Sequence, residues 1–233
     1  MTDDSAKART KRPSGGHAKP ATSEASRSSW TQDPEGVRRD ILAAAREAFV
    51  ENGFSGARVD DIATRTATSK RMIYYYFGDK RGLYAAVLEQ AYAGIRNQEL
   101  KLDLSALPPA DALAQLTGQT FDYHANNPDF VRLVMVENIH HAQHIAASEK
   151  IAKLNLTAID TVRSIYERGV VAGQFRADLN PLEIHLTISA LAFYNVSNRA
   201  TIFALFQHDM GESGALARRR QHVIETVLRF VST

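Results

Sequence analysis

The sequence predicts an all-α protein, with a three-helix helix-turn-helix unit near the N-terminus and a larger helical unit after it. Three observations lead there. From residue 33 onward apolar residues recur at spacings of three and four, and no segment sustains the period-two alternation of a strand. Caps and stops, among them Asp33-Pro34, Gly53, Ser69 and Gly78-Asp79, cut the first part of the chain into short pieces. The stretch "TSKRMIYYYFGDK", Thr68 to Lys80, sets a Ser, two cations and three consecutive tyrosines on one short predicted helix.

Residues 1–32 read as a basic tail. The first 29 lack Leu, Ile, Val, Phe and Tyr, and six cations stand against three acids, so too little apolar surface is available to offset chain entropy. Such a segment is either a solvated tail or an arm that touches a polyanion. The helix-turn-helix unit is expected over 33–80. Asp33 caps and Pro34 opens a helix over about 34–52, with Ile41, Leu42, Ala45, Ala48 and Phe49 inward and Gly53 as its stop. "ARVDDIATRT" gives a short second helix on Val59, Ile62 and Ala63. Ser69 caps a third, which stops at Gly78, and Asp79 caps a fourth running towards about residue 100.

The remainder, to residue 233, is expected to hold a ligand and a dimer partner, for reasons given below. After Pro108-Pro109, "ADALAQLTGQTFDYHANN" is helical, and Pro128 opens the next helix through "DFVRLVMVENIHH". A long helix over about 145–172 follows, then a very apolar one over about 181–208 and a last one over about 214–231.

Composition removes several classes of function. Cys is absent from all 233 residues, which excludes disulfides, thiolate nucleophiles and Cys-ligated metals and fits a reducing, cytoplasmic setting. The best apolar run, "LTISALAFYNV" (186–196), is about half the roughly 20 residues of a membrane span, so no membrane partner is expected. No signal-peptide core is evident near the N-terminus. No GxSxG, HExxH or Gly-rich phosphate loop occurs, so neither an enzyme nor a cofactor is expected. The net charge of +2 favours no partner by itself; the placement of the cations decides.

The tyrosines supply that placement. Successive helical residues point about 100° apart, so three neighbours cannot share a face. With Ile73 and Phe77 inward, Tyr75 points outward near Arg71 and Met72, while Tyr74 and Tyr76 fall on opposite flanks, Tyr76 nearer the core. Arg pairs with guanine edges, Met and Tyr meet thymine methyl groups, and hydroxyls bond phosphates, so this face suits a DNA major groove. The bland alternative is a three-helix unit whose tyrosines merely pack.

The string "ILAAAREAFVENGFSGARVDDIATRTATSKRMIYYYFGDKRGLYAAVL" resembles the DNA-binding domain of the TetR (tetracycline repressor) family. The matching pieces are Ile41, Ala44, Phe49, Gly53-Phe54, Val59, Ile62-Ala63, Ser69, Ile73-Tyr74, Tyr76-Phe77, Lys80 and Leu83, within residues 37–92. The resemblance implies a dimeric transcription regulator, chiefly a repressor, bound to a palindromic double-stranded operator and released by a small-molecule effector in its C-terminal domain. It implies that Ser69, Lys70, Arg71, Met72 and Tyr75 meet bases or nearby phosphates. Tyr74, Tyr76, Lys80, Arg58 and Thr68 would chiefly hold phosphates. The chain departs from the family pattern with Ala67 for a usual Gly, Thr68 for Val, and Arg71 for Gly or Pro. Ala67 costs roughly 1 kcal/mol if that turn residue needs a positive φ.

By the same resemblance the last two long helices form the homodimer interface, and the surplus apolar surface of 181–208 (Leu186, Ile188, Leu191, Phe193, Phe203, Phe206) supports it. The alternative is a buried core helix of a monomer. Candidate effector contacts are His124, Phe130, Val134, Glu137, His141, His144, Tyr166 and Tyr194, with Tyr123 and His185 as further possibilities. If "VENIHHAQH" is helical, Glu137, His140, His141 and His144 share one side, which fits a pocket wall, solvated histidines or a metal site. A transcriptional activator, an effector-independent DNA binder and, more remotely, a metal-binding or enzymatic helical protein are the competing readings.

Overall fold

The computed structural model describes residues 33–66 and 68–233. The basic tail and the turn residue Ala67, with its expected positive φ, lie outside the described residues. Among the described residues ten helices occur, and the sole β-feature is an isolated bridge between Phe175 and Ser232. The chain divides into two units, residues 1–37 and 38–233. What is described of the first is the opening of α1 (Pro34–Gly56), capped by Asp33, whose Oδ1 accepts from the Gly36 N–H at 2.7 Å.

The second unit continues α1. Its inward stripe is Ile41, Leu42, Ala45, Ala48 and Phe49, all buried. Gly53, the expected stop, interrupts the helical run with φ +66, a value that L side chains avoid, and one more turn follows to Gly56. Next come α2 (Val59–Arg65), α3 (Lys70–Phe77) and α4 (Lys80–Glu99). Ser69 Oγ accepts from the Met72 N–H at 3.2 Å and Asp79 Oδ1 from the Gly82 N–H at 2.8 Å, so both expected caps are made.

Beyond α4 lie α5 (Pro109–Asn126), α6 (Pro128–Ile139), α7 (Glu149–Val171), α8 (Pro181–Ser197), α9 (Arg199–Phe206) and α10 (Ser213–Val231). Their core joins Leu113 and Leu116 of α5, Val162 and Ile165 of α7, Ile184 and Ile188 of α8, and Val227 and Val231 of α10. Burial of each such side chain contributes roughly 1.5–3 kcal/mol before entropy is counted.

Two expected helices end early. α6 stops at Ile139, and His141 and Ala142 take φ of +56 and +55. "VENIHHAQH" is therefore not one helix, and the common side expected for Glu137, His140, His141 and His144 does not form. The cause is Glu137: its Oε2 accepts from the backbone N–H groups of His144 (3.1 Å) and Ile145 (3.2 Å), folding the chain back over the helix end. α7 accordingly begins at Glu149, capped by Ser148. The helix expected over 181–208 breaks at Asn198 (φ −107, ψ 6) into α8 and α9.

Candidate functional site

Two places gather functional side chains. The first is α3. Ile73 is fully buried, whereas Tyr75, two residues on, is 77% exposed. Met72 and Tyr74 are exposed beside it, Tyr76 is half-buried, and the Tyr75 and Tyr76 rings meet edge to face at 5.4 Å. Arg71 is exposed, and no ion pair involves it among the described residues. Lys70 Nζ is held 3.1 Å from an Asp60 carboxylate oxygen, a tether across α2 and α3 that partial exposure keeps weak. The floor under α3 is tight: a Cβ on Gly82 would stand 2.0 Å from the Phe77 carbonyl oxygen, so only Gly lets α4 start this close.

The flanking cations differ. Arg58 is exposed at the N-cap of α2. Lys80 turns inward: Nζ donates to the Ser55 carbonyl at 3.3 Å and sits 4.9 Å from the Phe54 ring centroid. Burial there lowers its pKa. Thr68 Oγ1 donates to the Thr66 carbonyl at 3.3 Å and Ser69 Oγ is occupied as a cap acceptor, which leaves its own O–H to donate outward.

The second place is a cavity of about 480 Å³. α4 supplies Tyr92 and Arg96, α5 His124, α6 Phe130, Val134 and Asn138, α7 Asn155, and α8 His185, Ser189 and Phe193. Arg96 Nη1 donates to Glu99 Oε2 at 2.5 Å, and both residues are buried. Burial raises the Glu99 pKa and the Arg96 charge pulls it back. Burial lowers the His124 pKa, opposed by the hydrogen bond of Nδ1 to the Thr120 carbonyl (2.7 Å) and assisted by Arg96. His185 falls to about 4, from burial first and then the charges of Arg96 and His124. Both imidazoles are neutral at pH 7.

Comparison with known proteins matches both parts of the chain to one family. The pattern for "Bacterial regulatory proteins, tetR family" matches residues 41–87, and that for "Tetracyclin repressor-like, C-terminal domain" matches 109–227. The chain belongs to the tetR family of bacterial regulatory proteins. It is 34% identical to the HTH-type transcriptional repressor NicS of Pseudomonas putida over 198 residues, spanning 85% of this chain and 93% of that one. The repressor SCO4008 of Streptomyces coelicolor is 32% identical over 60% of this chain and 70% of its own. A tetR-family regulatory protein from Rhodococcus RHA1 shares the fold, with a TM-score of 0.66 and 20% identity over 84% of this chain and 97% of that one. The chain is thus a helix-turn-helix, DNA-binding regulator of transcription, and all-α as its sequence predicts.

Of the eight effector contacts expected for this tetR-family chain, His124, Phe130 and Val134 line the cavity. Glu137 is fully buried and paired with His144, whose Nδ1 lies 2.9 Å from Oε1. His141 is exposed in the turn after α6. Tyr166 pins the turn before α8: its O–H donates to the Arg176 carbonyl at 2.9 Å and accepts from the Leu179 N–H at 3.0 Å. Tyr194 is exposed on α8. Among the described residues no three His, Asp or Glu side chains converge as a metal site. Arg96 and Tyr92 went unrecognised from sequence, although a lone Arg four residues after Tyr92 on the apolar stripe of α4 is the available signal.

Proposed function

We propose that this protein is a homodimeric repressor in which α3 reads a palindromic operator and a small molecule in the α4–α8 cavity releases it. Residues 33–80 act as the DNA-binding unit and 81–233 as the effector and dimerisation unit. Ser69, Lys70, Arg71, Met72 and Tyr75 contact bases or adjacent phosphates. Thr68, Tyr74, Tyr76, Lys80 and Arg58 hold the backbone. The work is binding, with no catalytic step.

The observation that carries this reading is the contrast along α3, where a fully buried Ile73 anchors a helix whose other side presents Arg71, Met72 and Tyr75. An exposed tyrosine and methionine, beside an arginine with no ion pair among the described residues, contribute little to the core, and they match the edges displayed in a major groove. Release follows from mechanics: an occupant in the cavity selects a dimer geometry whose two α3 helices no longer match half-sites one helical turn apart. Selection of bound duplexes from a randomised DNA pool, at about 0.1 M salt, tests it. A recovered palindrome supports the reading. Failure of the folded, effector-free protein to enrich any sequence would falsify it.

A further inference from the structure

We infer that the cavity takes an uncharged aromatic molecule that donates a hydrogen bond to His124 Nε2, in preference to an organic acid or an amine. This rests on reading the cavity as the effector site and adds the chemistry of the occupant. Charge is the first argument. Arg96 is the one charged side chain lining the cavity, and Glu99, 2.5 Å from it and equally buried, neutralises it. The Arg96–Glu99 pair is already net neutral, so a carboxylate or an ammonium group entering the site leaves one uncompensated charge beside it. Neither ion recovers its hydration there.

Hydrogen-bond direction is the second argument. The Thr120 carbonyl only accepts, so His124 Nδ1 carries the proton of that 2.7 Å bond. The neutral ring then presents a lone pair at Nε2 as its remaining polar end. His185 is likewise neutral, so no imidazolium offers a countercharge.

Shape is the third. Tyr92 stands edge-on to Phe130 at 5.4 Å, Phe130 to His124 at 5.5 Å, and His124 to Phe193 at 6.4 Å. Rings set at right angles around a cavity of about 480 Å³ give both faces and edges to a planar guest.

The test is calorimetric titration of the full chain near neutral pH with three probes of one shape: 2-naphthol, 2-naphthoate and 2-naphthylmethylammonium. 2-Naphthol should bind about tenfold or more tighter than either ion. His124→Phe should weaken it about tenfold while the ions change little. Val134→Trp, checked for folding by its thermal melt, should abolish binding. Tighter binding of 2-naphthoate that Val134→Trp abolishes overturns the uncharged occupant and leaves the cavity reading standing. Undiminished 2-naphthol binding by Val134→Trp overturns the cavity reading itself. Heat from none of the three overturns the proposed class, and the operator affinity of Val134→Trp then judges the cavity separately.

Discussion

Ile73 and Tyr75 sit two residues apart on α3 with opposite surroundings, and the consequences of substituting their neighbours follow from that geometry. Arg71→Ala and Tyr75→Ala remove exposed groups, proposed above to meet bases, without touching the core. Each should cost about 1–3 kcal/mol on the selected operator and much less on random DNA, read by competition binding. Equal losses on both DNAs would mean α3 is not the reader. Lys80 is different, because Nζ already serves the Ser55 carbonyl and the Phe54 ring. Lys80→Ala should lower affinity for both DNAs alike and also lower the melting temperature; unchanged stability would show that inward bond to be inconsequential. His185 makes a pH prediction. Its folded pKa of about 4 lies below the ordinary 6.5, so the unfolded chain binds a proton that the folded chain refuses. Stability is therefore lost as pH falls from 6.5 towards 4, by up to about 1.4 kcal/mol per unit, and levels off below. Urea midpoints for wild type and His185→Asn should converge in slope only if another group is responsible.

At the scale of elements, α6 lines the cavity, and the turn after it packs against α1 and α4. Phe130, Val134 and Asn138 line the cavity, while Glu137 receives three hydrogen bonds from the following turn; burial first, and then the Glu137 carboxylate, raise the pKa of the Tyr84 hydroxyl of α4. The His144 ring packs 4.5 Å from Phe54 of α1 and 4.9 Å from Tyr84. Glu137→Ala strips the acceptor from two backbone N–H groups and an imidazole in a dry site, so a loss of roughly 2–4 kcal/mol in urea unfolding is expected. A change under about 0.5 kcal/mol would mean the turn finds other partners. This element also marks what the sequence could and could not reveal. The caps at Ser69 and Asp79, the stripe of α1 and the face of α3 follow from local rules, because the competing groups lie within four residues of each other. The end of α6 does not: apolar periodicity continues into Ile139, and the carboxylate that stops the helix bonds residues seven and eight positions away. A side chain that takes over backbone donors at that distance leaves no periodic trace. The cavity was partly legible for the same reason. His124, Phe130 and Val134 announce themselves as residue types, whereas Arg96 belongs there only because Glu99 neutralises it, one turn along α4.

At the scale of the molecule, α9 has no buried residue although its sequence is "RATIFALF". Phe203, Leu205 and Phe206 are more than half exposed, and Leu182, Leu186 and Tyr194 of α8 are also exposed. Loss of so much apolar surface to water is unfavourable at about 25 cal/mol per Å², and a second copy that covers it would recover that free energy. The palindromic operator proposed above would impose the same requirement from the other side, since one α3 would read one half-site. The two arguments are independent, and one variant tests both. Phe203→Asp with Phe206→Asp places charge where the partner would pack and leaves the interior untouched. Sedimentation should show a monomer with an unchanged helical spectrum. Its affinity for a single half-site should match that of wild type, while the advantage of the full palindrome, which comes from linking two readers, should disappear. A variant that sediments as a dimer and still prefers the palindrome would place the interface on other helices and leave the exposed face of α9 for a different partner.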